Sequence, residues 1–412
     1  MIKRVALAAL ALVLLLIPLP LQADSGISAL DSSVEIDFPS ELVFNLEAES
    51  SANITDVRLH YQVDEMNYAE VTTEGWPDFT PGTTIETSWI WDMRKASLPP
   101  GAAVTYWWTA EDTAGNTLET PPSLVHFDDV RHPWQSLTDD QVTLLWYEGS
   151  HSFARELMDA CKRGLDRLGT ICDWGAGNTE ARPVPITIYI YASTADVRGA
   201  MIFPQEWTGG AAFTDFGIIV IGIAPEQVDW GKRALVHELT HVVVHQATFG
   251  PYSTLPVWVD EGLAMYNEGQ LEPYFQAWLN NAVAEDKLIS VRSLCSPFSA
   301  EPEKAYVSYA ESYSLVEYLV DSYGQSKMLE LLGLFKQGET CDAALTQVYG
   351  FDTDGLDSRW RETLANPTAI GSQAWHSHPA LIAVFSALAA ALVLAGALAL
   401  EEWTWRRPRK RG

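Results

Sequence analysis

The chain has 412 residues, of which 54 are acidic and 26 are basic, so its formal net charge at pH 7 is −28. A charge this negative disfavours nucleic acid and anionic lipid headgroups as partners, because both would be repelled. It would attract cationic peptides weakly.

Residues 1–23 have the pattern of a secretory signal. Lys3 and Arg4 form the charged start, residues 5–17 are apolar, and Ala23 is a small residue suited to cleavage. The apolar run is short for a membrane span, which favours cleavage over an uncleaved anchor. We therefore expect the residues that follow to be exported.

Residues 24–130 are predicted to form an all-β domain. Apolar and polar residues alternate in four segments, 41–48, 56–63, 84–91 and 103–110. About seven short strands in roughly a hundred residues suit a β-sandwich. The stretch 106–116 is similar to immunoglobulin-like or fibronectin type III modules, so a spacer or substrate-positioning role is expected. A sugar-binding face is the alternative, but core packing is favoured for the four aromatic residues Trp89, Trp91, Trp107 and Trp108.

The next hundred residues are predicted to alternate strands with a helix. The pattern predicts a strand at 141–147, a helix at 152–168, a strand at 185–191 and a glycine-rich hairpin over 208–223. This hairpin ends shortly before the motif that carries the chemistry.

That motif is H-E-L-T-H at positions 237–241. Residues four apart on a helix share a face, so His237 and His241 could bind one metal ion. Imidazole suits zinc, and three protein ligands leave one position open for water. Glu238 can reach that water rather than the metal, which is the place for a general base.

A third metal ligand must come from elsewhere, and Glu261 is the best candidate. His245 lies one more turn along the same helix, where a straight helix cannot easily direct three side chains to one ion. We therefore assign His245 to packing or to hydrogen bonding with another site residue. Glu261 follows after a loop rich in proline and glycine, and a second helix can return it to the metal.

The rest of the chain is predicted to be helical and to end in a membrane anchor. Helices are expected at 271–286, 306–320, 328–335, 342–349 and 358–364. After a linker, 367–379, the uncharged run 380–400 is long enough to span a bilayer. The tail 401–412 carries five basic residues and two tryptophans, so it is expected to be cytoplasmic.

The four cysteines are predicted to form disulfides, since their number is even and the protein is expected to be exported. Pairing between neighbours is expected, Cys161 with Cys172 and Cys295 with Cys341. None of them stands in a C-x-x-C pattern, which argues against a cysteine zinc site.

The segments H-E-L-T-H and W-V-D-E-G-L-A together resemble the gluzincin clan of zinc metallopeptidases, which includes thermolysin. The sequence is most similar to bacterial peptidase MA-like domains, over about residues 131–366. The resemblance implies an α+β, thermolysin-like domain after the sandwich. It also implies one zinc ion bound by His237, His241 and Glu261, with Glu238 as the catalytic residue.

The resemblance further implies a tyrosine that donates a hydrogen bond to the tetrahedral intermediate. Tyr309 aligns best with it, and Tyr306 and Tyr313 stay open as alternatives. An aspartate of thermolysin that supports a zinc histidine corresponds to Met265 here, so that support must come from other residues.

Substrate is expected to bind beside residues 209–213, because the clan uses this sheet edge for the substrate backbone. The aminopeptidase motif G-x-M-E-N is absent from the sequence, which favours an endopeptidase.

We therefore predict a membrane-anchored, extracytoplasmic zinc metallopeptidase that acts on peptide or protein substrates. One alternative is a catalytically silent surface binding or adhesion protein that keeps the peptidase fold. Another is zinc-dependent hydrolysis of a non-peptide amide or ester.

Overall fold

The computed structural model describes residues 26–172, 184–202 and 209–365. The predicted signal (1–23), linker (367–379), membrane span (380–400) and basic tail (401–412) lie outside these residues. Within the described ranges, no helix combines the length and apolar character needed to cross a membrane. The chain divides into two compact units, and the second begins at His132.

Residues 26–131, which the structure describes within the first unit, form an all-β region with seven strands. These are β1 (Ile27–Asp37), β2 (Glu41–Val63), β3 (Thr73–Gly75), β4 (Gly82–Asp92), β5 (Ala103–Asp112), β6 (Thr117–Glu119) and β7 (Ser123–His126). The start of β2 pairs with β1 and β4, and its end pairs with β3 and β5. Strand β2 therefore pairs with two groups of strands, β1 and β4 at its start and β3 and β5 at its end, in keeping with the predicted sandwich.

Two of the predicted strands, 41–48 and 56–63, are parts of the single 23-residue strand β2. The residues between them contain neither glycine nor proline, so nothing in the sequence breaks the extended backbone. The ladder register shifts around Ile54, and the buried positions change from even to odd numbers there. An extra residue of this kind bends a strand, which lets β2 pass from one group of partners to the other.

The four tryptophans considered for a sugar-binding face differ in burial. Trp108 is fully buried, as expected of a core residue. Trp89 and Trp91 are half-buried and contact the Tyr61 ring, while Trp107 stacks on the His60 ring at 5.4 Å.

The second unit contains a five-stranded sheet in the order β11-β12-β10-β9-β8. Its strands are β8 (Gln135–Asp139), β9 (Val142–Trp146), β10 (Ile186–Tyr191), β11 (Gly210–Phe213) and β12 (Ile218–Gly222). The three central strands are parallel, and the two edge strands run antiparallel to their neighbours. The predicted glycine-rich hairpin is β11 and β12, with β11 at the edge.

Most of the remaining described residues of the second unit form helices. They are α1 (His151–Cys172), α2 (Thr194–Gly199), α3 (Val228–Thr248), α4 (Val257–Glu268), α5 (Pro273–Ala284), α6 (Val291–Leu294), α7 (Pro302–Tyr323), α8 (Gln325–Lys336), α9 (Cys341–Tyr349) and α10 (Thr353–Ala365). The helices predicted after the motif are all present, and most extend a few residues beyond the predicted ends. Apolar side chains of the sheet and of α1, α3, α4 and α7 form one core.

The approach of α4 to α7 depends on Gly262. A Cβ atom at this position would lie 2.5 Å from the carbonyl oxygen of Ser312 and 2.7 Å from Val316 Cγ2. Glycine therefore lets the two backbones touch one residue after Glu261, the predicted ligand.

The predicted pairing of Cys161 with Cys172 is wrong. Both residues lie on α1, which continues past its predicted end at 168 and reaches Cys172. At 1.5 Å per residue they are separated by about 16 Å along the helix axis, whereas a disulfide needs Cα atoms within about 7 Å. The sulfur atoms of Cys295 and Cys341 lie 3.2 Å apart.

Candidate metal centre

Helices α3 and α4 bring His237, His241 and Glu261 together. One ligand atom from each residue lies within 4.8 Å of the other two. Across 26–172, 184–202 and 209–365, this is the one group of three or more His, Cys, Asp or Glu residues that could hold a metal ion.

The two distances from Glu261 Oε2 fit a tetrahedral zinc site. Glu261 Oε2 lies 3.4 Å from His237 Nε2 and 3.6 Å from His241 Nε2. Two ligands bound tetrahedrally at 2.0–2.1 Å from zinc stand about 3.4 Å apart. Glu261 Oε2 is also buried without a hydrogen-bond partner, a costly state that a cation between the three atoms would relieve.

Both histidines are oriented by carboxylates on α4. His237 Nδ1 donates to Glu268 Oε1 at 2.8 Å, and His241 Nδ1 donates to Asp260 Oδ1 at 2.9 Å. These bonds leave the two Nε2 atoms free as metal ligands and fix the ring orientations. Sequence analysis missed both carboxylates, although Asp260 precedes the ligand Glu261 and Glu268 follows it by about two helical turns.

Glu268 is itself held in place by Arg233 on α3. The guanidinium lies 3.1 Å from Glu268 Oε2 and 3.2 Å from Glu272 Oε1, and it also donates to the Gln270 carbonyl oxygen. The carboxylate that orients His237 therefore has a fixed position of its own.

His245 lies outside the ligand group, as predicted. Its Nε2 atom is 3.1 Å from Asp260 Oδ2, so Asp260 bridges His241 and His245. His245 thus helps to orient the carboxylate that orients a candidate ligand.

Glu238 points toward the edge strand β11. A Cβ atom at Gly210 would lie 3.2 Å from Glu238 Oε1 and equally close to Ile221 Cγ1. Glycine at this position therefore allows the β11 backbone to lie directly against the candidate general base.

Of the three candidate tyrosines, Tyr309 borders the centre. Its hydroxyl donates to Glu261 Oε1 at 3.4 Å. Tyr306 instead contacts the rings of Tyr274 and Trp278, and the Tyr313 hydroxyl donates to Glu317.

The part of the chain that contains this centre matches a known family. Residues 173–366 match the model of the Peptidase MA superfamily. This part of the chain is a Peptidase MA-like domain. The match confirms the predicted resemblance to peptidase MA-like gluzincin domains.

The chain is only remotely similar to solved structures. Wild-type OgpA from Akkermansia muciniphila is 10% identical over 24% of this chain and 27% of its own, with a TM-score of 0.20. Spo0M, a sporulation control protein from Bacillus subtilis, is 10% identical over 33% of this chain and 55% of its own, with a TM-score of 0.17. The polysaccharide deacetylase BC0361 from Bacillus cereus is 13% identical over 44% of this chain and 58% of its own, with a TM-score of 0.18. The chain thus spans about a quarter to three fifths of these proteins, and no curated protein matches it significantly.

In the Peptidase MA-like domain, carboxylates favour positive charge between the two histidines. Burial alone would lower the pKa of His237, but Glu261 and Glu268 outweigh it and raise that pKa well above its ordinary value. Burial acts on His241 in the same way, and Asp260 outweighs it and raises the pKa. A divalent cation would supply the same positive charge without protonating the imidazoles.

Two other groups of the Peptidase MA-like domain are shifted toward their protonated forms. Burial is the main cause that raises the pKa of the Glu238 carboxyl, with further contributions from the charges of Glu261 and Glu268. Burial, followed by the charge of Glu261, also raises the pKa of the Tyr309 hydroxyl. Glu238 is therefore a better proton acceptor than an ordinary carboxylate, and Tyr309 stays a hydrogen-bond donor at neutral pH.

Proposed function

We propose that this chain is a zinc-dependent metallopeptidase that hydrolyses internal peptide bonds. One observation carries the proposal: the buried, unpartnered Glu261 Oε2 faces His237 Nε2 and His241 Nε2 at ligand spacing. A zinc ion bound there would supply a Lewis acid and lower the pKa of a bound water to about 7.

The side chains around this group have distinct roles in the proposed reaction. Glu238 accepts the proton of the attacking water at a carboxylate oxygen and delivers it to the leaving amine. The Tyr309 hydroxyl donates a hydrogen bond to the oxygen that becomes negative as the carbonyl is attacked. Asp260 and Glu268 hold the imidazoles in the orientation that this geometry requires.

Strand β11 is the proposed binding edge for the substrate backbone. Among the described strands it pairs only with β12, and it lies against Glu238 at Gly210. An extended peptide could add to its other side as a further strand, which would bring its backbone beside the general base. The lack of a G-x-M-E-N motif in the sequence favours cleavage within a chain over removal of an N-terminal residue.

We further propose that the enzyme is held at the outer face of a cell membrane. The signal pattern at 1–23 and the uncharged run at 380–400 with its basic tail support this arrangement. Peptides or proteins outside the cell would be its substrates.

Zinc content and turnover together test the proposed function. We would purify the detergent-solubilised full chain beside its His237→Ala, Glu261→Ala and Glu238→Gln variants. The expected result is one zinc per wild-type and Glu238→Gln chain, loss of zinc in the other two variants, and cleavage of a peptide library by the wild type alone.

Two outcomes would overturn the proposal in different ways. A folded wild-type chain without zinc would remove the metal centre. Stoichiometric zinc without cleavage of any peptide would favour the surface binding protein with a silent peptidase fold.

A further inference from the structure

Two cysteines meet where three helices of the second unit come together. Cys295 follows α6 directly, and Cys341 is the first residue of α9. Their sulfur atoms lie 3.2 Å apart, and both side chains are half-buried against the main core. A disulfide would require these sulfurs to approach by only about 1 Å more.

The two residues also contact the first turn of α4. The Cys295 carbonyl oxygen accepts the Val257 N–H at 3.5 Å, and Cys295 S–H donates to the Val291 carbonyl oxygen at 3.4 Å. Trp258 is fully buried in the same core. This turn immediately precedes Asp260 and Glu261.

We propose that Cys295 and Cys341 are a thiol–disulfide exchange site whose oxidation braces the start of α4. The co-reactant is a low-molecular-weight disulfide such as oxidised glutathione. This inference stands apart from the proposed peptidase activity, because it concerns the thiols and the order of the helix alone.

The exchange proceeds in two balanced steps. The Cys295 thiolate attacks one sulfur of the small disulfide, which forms a mixed disulfide and releases one small thiol. The Cys341 thiolate then attacks the Cys295 sulfur, forms the Cys295–Cys341 bond and releases the second small thiol. The two protons of the cysteines pass to the two released thiols, and the two electrons reduce the small disulfide.

The local environment favours this pair over the other two cysteines. The neighbouring Cys341 thiol lowers the pKa of Cys295, whereas the same contact and burial raise the pKa of Cys341. Cys295 is therefore the thiol that attacks first. By contrast, burial raises the pKa of Cys161 and of Cys172 to about 12. These two residues are too far apart to pair with each other, so they serve as internal controls.

The first test maps the thiols of the full chain after equilibration with defined ratios of oxidised to reduced glutathione. Free thiols are alkylated, and tryptic peptides are identified by mass. A linked pair of peptides containing Cys295 and Cys341 is expected under oxidising ratios, about 2 Da lighter than the sum of the free peptides. Cys161 and Cys172 are expected to be alkylated only after denaturation. Free Cys295 and Cys341 at every ratio would overturn the proposal.

The second test measures whether oxidation stabilises the start of α4, by the rate of amide hydrogen exchange in peptides that cover this helix. Oxidation is expected to slow exchange in this helix several-fold and to raise Tm by about 5 °C or more, since the bond closes a long loop. The Cys295→Ser/Cys341→Ser variant is expected to lose both responses, and Cys161→Ala to keep them. A linked pair that changes neither exchange nor Tm would refute the brace.

Discussion

Replacement of Glu268 by alanine tests whether the carboxylates on α4 set the affinity for zinc. The substitution removes the 2.8 Å hydrogen bond from His237 Nδ1 and leaves the ring free to rotate. Hydrogen bonds to charged groups contribute about 1.5–3 kcal/mol, and the two side chains are only 19% and 14% exposed, so solvent screening is weak. The dissociation constant for zinc is therefore expected to rise about 10- to 100-fold, in the range typical of such outer contacts.

The assay is competition for zinc with a chromophoric chelator at fixed pH, beside a Tm measurement for each variant. Glu272→Ala is the matched control, because Glu272 pairs with Arg233 at 3.2 Å without being a partner of His237. Glu268→Gln should retain most of the affinity, since its amide oxygen can still accept from Nδ1. Wild-type affinity in Glu268→Ala, or an equal loss in Glu272→Ala, would refute the reasoning.

Four further substitutions have separate expected outcomes. Glu238→Gln should keep its zinc and lose at least about 100-fold in kcat, measured with a cleaved peptide, because the proton acceptor is gone; an unchanged kcat would exclude it as the base. Tyr309→Phe should lower kcat by about 100-fold and leave KM and zinc content nearly unchanged, whereas a change in KM alone would assign it to binding. Gly210→Ala should lower kcat by about 10-fold with zinc retained, because its Cβ would lie 3.2 Å from Glu238 Oε1 and displace that carboxylate. An unchanged kcat would show that strand β11 moves to make room for the methyl group. Glu311→Gln should stabilise the fold by about 4 kcal/mol at pH 8 and hardly at all at pH 4, because burial raises the pKa of this carboxyl from 4.5 to about 8. Its ionisation then costs folding stability as pH rises through that interval, and equal effects in urea melts at both pH values would contradict this.

The sequence predicted the centre to the extent that local helix geometry determines it. A period of 3.6 residues places His237 and His241 on one face whatever surrounds them. The return of Glu261 also followed from a short loop and a second helix. Tyr309 aligned with a known pattern, and its hydroxyl lies at the centre.

The parts that sequence analysis missed depend on how elements cross in space. Glu268 reaches His237 only because α3 and α4 pack at one particular angle and register, which no local pattern specifies. The contact of Gly210 with Glu238 likewise joins an edge strand to a helix. The pairing of Cys161 with Cys172 was predicted from their closeness in sequence, but a single helix that contains both residues holds them apart.

The close crossing at Gly262 has a consequence for how this centre tolerates changes in sequence. Because the backbones of α4 and α7 touch there, the spacing between Glu261 and Tyr309 is determined by main-chain atoms. Substitution of other apolar side chains between the two helices is then expected to lower the stability of the fold without changing the distance between Glu261 and Tyr309. The geometry of the centre therefore depends little on which apolar residues fill the surrounding core, because Gly262 alone sets the contact between the two backbones.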